Sequence, residues 1–195
     1  MNKRSLLQAE SRKHRRKSSR LQRTSTMNSL LAKLPRQQIP IPNDKCHQLV
    51  KDVCAGKAID ERYGQIEDWD VSQVRDMSHA FENQKTFNRD ISRWDTSHVN
   101  TMEGMFIGAT LFNQPLNNWN VSNVTTMFCM FHYATSFNQP LNNWNVSNVI
   151  TMDHMFYYAT SFNQTLNGWY VGNVTNMDCM FMYTRTFNQI GMLVM

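Results

Sequence analysis

"FNQPLNNWNVSNVTTMFCMFHYATS", residues 112–136, runs directly into "FNQPLNNWNVSNVITMDHMFYYATS", residues 137–161. The two stretches differ at only four of 25 positions: 125/150, 128/153, 129/154 and 132/157. Sliding the chain against itself by 25 residues aligns five copies. Trp69, Trp94, Trp119, Trp144 and Trp169 form one column, and Val74, Val99, Val124, Val149 and Val174 another. Met77, Met102, Met127, Met152 and Met177 form a third, and Phe81, Phe106, Phe131, Phe156 and Phe181 a fourth. A fixed period of 20 to 29 residues is the sequence signature of a solenoid, in which each repeat is one coil. One coil cannot bury its apolar face alone, so the repeated residues are expected to be the core between coils.

Within one coil the apolar spacing changes. "LNNWNV" (Leu116, Trp119, Val121) follows the strand pattern L-x-x-L-x-L of a leucine-rich repeat, with Trp and Val substituted. Val124, Met127, Met130, Phe131 and Ala134 then fall on one helical face, with Ser122 and Asn123 placed to cap it. The Asn after each Phe (Asn113, Asn138, Asn163) is expected to bond turn backbone and to stack coil on coil. Where a leucine-rich repeat wants Asn or Cys at its ninth position this chain has Val124, so it is a variant. "NDKCHQLVKDVCAG" (43–56) reads as a short helix started by Asn43 or Asp44 and stopped by Gly56. Leu49, Val50, Val53 and Cys54 would cover the first coil. The expected fold class is therefore a β/α solenoid, leucine-rich-repeat-like, of five 25-residue coils. The expected organisation is a disordered basic arm over 1–42, a helical cap over 43–68 and the repeats over 69–195, the last copy incomplete.

Charge is divided unevenly. Residues 1–36 hold eleven Lys/Arg and one acid, net +10, and residues 37–195 hold nine Lys/Arg and fourteen acids, net −5, which together give the formal +5. No apolar run in the arm is long enough for a signal peptide or a membrane span, which favours an intracellular location, with nuclear, organellar and cell-surface locations as alternatives. Cys46, Cys54, Cys129 and Cys179 form no C-x-x-C pair, the pattern of free thiols in a reducing compartment.

"YGQIEDWDVSQVRDMSHAF" (63–81) and "FNRDISRWDTSHVNTMEGMF" (87–106) resemble the BspA-like leucine-rich-repeat surface protein family, over about residues 43–190. Its repeat runs roughly F-N-x-x-I/L-x-x-W-D/N-V-S-x-V-x-x-M-x-x-M-F. The resemblance implies a curved β/α solenoid used for adhesion or protein binding, and it brings no catalytic residues with it.

Function is expected where the words change. Asp70, Asp95, Asn120, Asn145 and Tyr170 alternate outward beside the Trp column and are the candidate partner-binding strip; the competing reading is a solvated face. Tyr133, Tyr158 and Tyr183 form a flanking aromatic column that either marks an interface or covers the core edge. Cys129, His132, His154 and Cys179 have a zinc-site composition, but cysteines two coils apart would be separated by about 10 Å, too far for one ion. No metal or cofactor is expected. Sequons at Asn120, Asn123, Asn145 and Asn173 fall inside the repeat consensus and read as its by-product. No phosphate loop, nucleophile elbow or acid–base pair is present, so the chain is not read as an enzyme.

Arg12, Lys13, Arg15, Arg16 and Lys17 form a cluster suited to phosphate binding or to targeting. Three functions follow: an interaction scaffold using the outward columns, a nuclear or nucleic-acid-associated protein using the arm, or a surface adhesin. The open last coil is further expected to promote self-association, with Leu193 in the contact.

Overall fold

The apolar residues of the repeats recur largely in steps of three, a spacing that suits a chain of three-residue turns. Val121, Val124, Met127 and Met130 step by three, and so do Phe131, Ala134 and Phe137. A helical face would alternate steps of three and four. The computed structural model describes residues 38–189, and it shows what the step of three does. Many core residues close a turn opened three residues earlier: Trp119 N–H donates to Leu116 O (3.0 Å), Val124 to Val121 (2.9 Å), Met130 to Met127 (3.1 Å), Ala134 to Phe131 (3.0 Å). The helix expected over 124–134 is therefore absent, and 116–121 is not a strand. Among the described residues the one α-helix is α1, Cys46–Cys54. Bridges between coils are isolated and parallel: Asp76–Thr101, Thr101–Thr126, Thr126–Thr151 and Thr151–Asn176.

Backbone handedness prevents the helix. Two columns inside the expected helical segment have positive φ. One is His79, Gly104, Cys129, His154 and Cys179, the other Asn83, Gly108, Tyr133, Tyr158 and Tyr183, with φ between 54° and 64°. Such residues break the i→i−4 ladder at a cost of about 1–2 kcal/mol each for non-glycine side chains. The released N–H groups turn toward the next coil. Cys129, Phe131 and Tyr133 donate to the carbonyls of Asp153, Met155 and Tyr157 at 3.1, 2.8 and 2.9 Å.

The repeated side chains form the core between coils. The Trp column is at most 3% exposed, and Phe81, Phe106, Phe131 and Phe156 are completely buried. Successive rings of that Phe column stack at 5.2, 5.5, 5.4 and 5.6 Å with interplanar angles of 3–6°. Phe87, Phe112, Phe137, Phe162 and Phe187 make a second ladder at 5.9–6.1 Å. From the second coil onward each indole N–H donates to the carbonyl 28 residues earlier: Trp94 to Ile66, Trp119 to Ile91, Trp144 to Leu116 and Trp169 to Leu141, at 2.8–3.1 Å. The Asn column stacks as expected. The backbone N–H groups of Asn113, Asn138, Asn163 and Asn188 donate to the side-chain oxygen of the Asn one coil earlier, at 2.9–3.1 Å.

The first coil is covered by α1, which buries Cys46 and Val50 while Leu49, Val53 and Cys54 pack against the core. Gly56, with φ 68°, ends it. Asn43 does not cap the helix. It opens a short 3-10 turn, Asn43–Lys45, and its Oδ1 accepts from Arg75 N–H (2.7 Å) and Asp76 N–H (3.0 Å). In later coils the position of Arg75 donates to the preceding coil instead, as Asn100 N–H does to Arg75 O. Asn43 is thus the stand-in for a missing coil. Ile41 is fully buried and its N–H donates to Asp70 O at 2.7 Å, so the packed chain begins before residue 43. Arg12, Lys13, Arg15, Arg16, Lys17 and Leu193 lie outside the described residues.

Two substitutions test this geometry by denaturant unfolding. Trp119→Ala is expected to cost about 3–5 kcal/mol. Tyr133→Val is expected to cost about 1 kcal/mol more than Tyr133→Asn, because a β-branched residue resists the left-handed region that Asn tolerates. Equal stabilities for the Val and Asn variants would contradict the turn assignment.

Candidate functional site

The strip that alternates outward beside the Trp column turns out to make its own turns. Asp70 Oδ1 accepts from Ser72 N–H (3.0 Å) and Ser72 Oγ (2.6 Å), and Asn120 Oδ1 from Ser122 N–H (3.1 Å) and Ser122 Oγ (2.7 Å). Asp95 and Asn145 take the N–H of Ser97 (3.0 Å) and Ser147 (3.2 Å). These are Asx turns, in which a short polar side chain replaces a backbone acceptor. One oxygen of each of these side chains, Oδ1, is thus engaged in holding the chain. Tyr170 has no such oxygen. Its ring lies across Gly172, where an added Cβ would meet Tyr170 Oη at 2.5 Å, and it is 52% exposed. Asn123, Asn148 and Asn173 donate Nδ2–H to the carbonyls of Ser97, Ser122 and Ser147, each at 2.7 Å. They tie coil to coil, and the sequons at Asn123 and Asn173 are built from these ties.

A different face carries the side chains that the repeat leaves free. The left-handed column places Tyr133 on Tyr158 (4.7 Å, interplanar 5°) and Tyr158 against Tyr183 (4.5 Å, 32°). Tyr157 meets Tyr183 edge-on at 5.5 Å, and His132 meets Tyr157 edge-on at 4.9 Å. Tyr133, Tyr183 and Met182 are 44%, 43% and 42% exposed, so this column does not serve as a lid on the core. The same positions in the first two coils are Glu82 with Asn83 and Ile107 with Gly108, so the face becomes aromatic only from the third coil. Contiguous exposed aromatic surface is characteristic of recognition sites.

The polar groups around this face are few. Burial, and then the nearby acids Asp153 and Glu103, push the Cys129 thiol up to about 11, so it stays protonated at neutral pH. Burial, and secondarily the neighbouring His154, hold His132 below the ordinary imidazole value. His132 Nε2 is buried with no hydrogen-bond partner among the described residues. All four cysteines are free. Among the described residues no three His, Cys, Asp or Glu side chains are grouped to hold a metal ion. At the N-terminal end Gln38, Gly64, Glu67, Asp68, Trp69 and Arg93 line a shallow depression of about 410 Å³. Its charges are paired, Arg93 with Asp68 (2.6 Å) and Glu67 with Arg89 (2.5 Å), so no net charge is offered to a ligand there.

The model of one protein family matches residues 53–159 and again 129–192, and the chain belongs to that family, described as Mycoplasma protein of unknown function, DUF285. No curated protein and no solved structure matches the chain.

The half-buried imidazole gives this face a pH signature. The unfolded chain takes a proton on His132 from about pH 6.5 downward, whereas the folded chain resists it. Its contribution is therefore neutral above that pH, and stability is lost as pH falls toward the depressed folded value. Unfolding of the wild type and of His132→Tyr, the residue type at 157, should diverge as pH drops from 7 to 5, the wild type losing more. Parallel pH profiles would contradict the burial of a neutral His132.

Proposed function

We propose that this chain is a non-catalytic interaction scaffold: a solenoid of the BspA-like repeat type that binds another macromolecule through outward-facing columns of its coils. The observation that carries the reading is the contiguous aromatic face of Tyr133, Tyr157, Tyr158, Tyr183 and Met182, on a body whose repeated residues are spent on core and turns. In the strip beside the Trp column, Tyr170 offers an exposed ring suited to the same task. The F-N-x-x-L-x-x-W spacing and the family match support the BspA-like reading. A partner of this face offers apolar or aromatic side chains to fit between the rings, with hydroxyl contacts at its rim.

A second reading rests on charge. Residues 1–36 carry net +10 beside a body of net −5, a distribution suited to phosphate contacts by the arm and repulsion by the body. Nuclear or nucleic-acid association would then act through Arg12, Lys13, Arg15, Arg16 and Lys17, and its affinity would fall steeply with salt. Among the described residues no helix is long and apolar enough to cross a membrane.

The test is recovery of partners from the native cell with the tagged full chain and with Tyr133→Asn/Tyr158→Asn/Tyr183→Asn. Asn is chosen because Asn83 already holds φ 58° in this column. The variant is expected to melt cooperatively and to lose the polypeptides recovered by the wild type. Retention of those polypeptides by the folded variant would contradict the aromatic face as the binding surface.

A further inference from the structure

The backbone bonds between coils run in one direction over the turn segment. N–H groups at 77, 79, 81 and 83 donate to carbonyls at 101, 103, 105 and 107, and the same four-bond row joins each following pair of coils at 2.7–3.2 Å. The row ends at the fifth coil. Met177, Cys179, Phe181 and Tyr183 occupy the donor positions, and among the described residues nothing accepts their N–H groups. The carbonyls of Met177, Cys179 and Phe181 are turned inward, accepting from Met180, Met182 and Thr184 at 3.0–3.1 Å. This stretch of the edge is a row of donors without acceptors.

That polarity restricts what can bind. Two such rows from two copies cannot pair, because donors would face donors. The self-association expected from the open end therefore lacks complementary groups along this row. The matching edge is the opposite side of a coil, where carbonyls at alternate residues face the preceding coil. In this chain that side of the first coil lies under α1, with His47 Nε2 bonded to Ser78 O and with Cys46 and Val50 buried against it. A second copy with its cap seated cannot offer it.

The aromatic ladders make the same demand. Phe181 stacks on Phe156 at 5.6 Å and Phe187 on Phe162 at 6.0 Å, each on one side only. Both rings are only partly buried, whereas the Phe residues before them in each column are at most 6% exposed. We propose that the C-terminal edge of the fifth coil is a docking site for an uncapped coil of this same repeat class. Its carbonyls would accept from Met177, Cys179, Phe181 and Tyr183. Its two Phe rings would stack on Phe181 and Phe187, and its indole N–H would reach Leu166 O, as that of Trp169 reaches Leu141 O. This is edge addition read through the spacing of the chain's own coils.

The probe is a labelled synthetic peptide with the sequence of residues 112–138, whose Thr126, Phe128, Met130 and His132 carbonyls already accept such a row from the second coil. Anisotropy is followed as the full chain is added under reducing conditions. Saturable one-to-one binding is expected, with none for a scrambled peptide of equal composition. Phe181→Ala and Phe187→Ala are each expected to weaken it about tenfold, while Asn43→Ala at the far end leaves it unchanged. Both Phe variants are first checked for cooperative melting, and Phe187→Ala decides if Phe181→Ala fails that check. Equal binding of the scrambled peptide, or undiminished binding by the folded Phe variants, would overturn the proposal. So would a peptide-free dimer, seen by sedimentation, that Phe187→Ala abolishes.

Discussion

The structure depends on one constraint: the backbone N–H groups of every second residue in the turn segment find their acceptors only in the next coil. Phe106 N–H reaches Met130 O at 2.9 Å, and Phe131 N–H reaches Met155 O at 2.8 Å. A buried N–H without a partner costs about 1–3 kcal/mol, so each four-bond row is a strong demand for correct register. The side chains enforce the same register. Phe106, Phe131 and Phe156 stack nearly parallel at 5.5 and 5.4 Å only if the coils are offset by 25 residues. Backbone and core therefore agree, and the agreement explains why Trp, Val, Met and Phe recur without exception through five copies.

Much of this was legible in the sequence. The Trp and Phe columns, the Asn ladder, α1 and its stop at Gly56 all follow from spacing and residue chemistry. The turn segment did not. Val124, Met127, Met130, Phe131 and Ala134 fit a helical face and a chain of three-residue turns almost equally well. Only the left-handed backbone at Cys129 and Tyr133 separates the two. The sequence hint was Gly104 and Gly108 at the equivalent positions, with Asn83 beside them, since these residue types favour positive φ.

The strip beside the Trp column was legible in the sequence, and its turn chemistry was not. Asp70, Asp95, Asn120 and Asn145 do alternate with the core, and a Ser two residues on makes one oxygen of each, Oδ1, a turn acceptor. Asn123 has the spacing of a helix cap, but its Nδ2 donates to Ser97 O of the preceding coil. The tyrosine column was visible as a column. What spacing could not supply was its exposure, which depends on a backbone that lifts Tyr133 and Tyr183 off the core.

The most direct test is to change the register itself. Deleting residues 124–148 removes one whole repeat and joins Asn123 to Val149, preserving every row and ladder between the remaining coils. Deleting 124–147 leaves one extra residue, Asn148, inside the Val121–Val124 turn and shifts all that follows. Thermal unfolding should show a cooperative transition for the 25-residue deletion and its loss for the 24-residue deletion. Indistinguishable melting of the two proteins would contradict a fold held together by a 25-residue register.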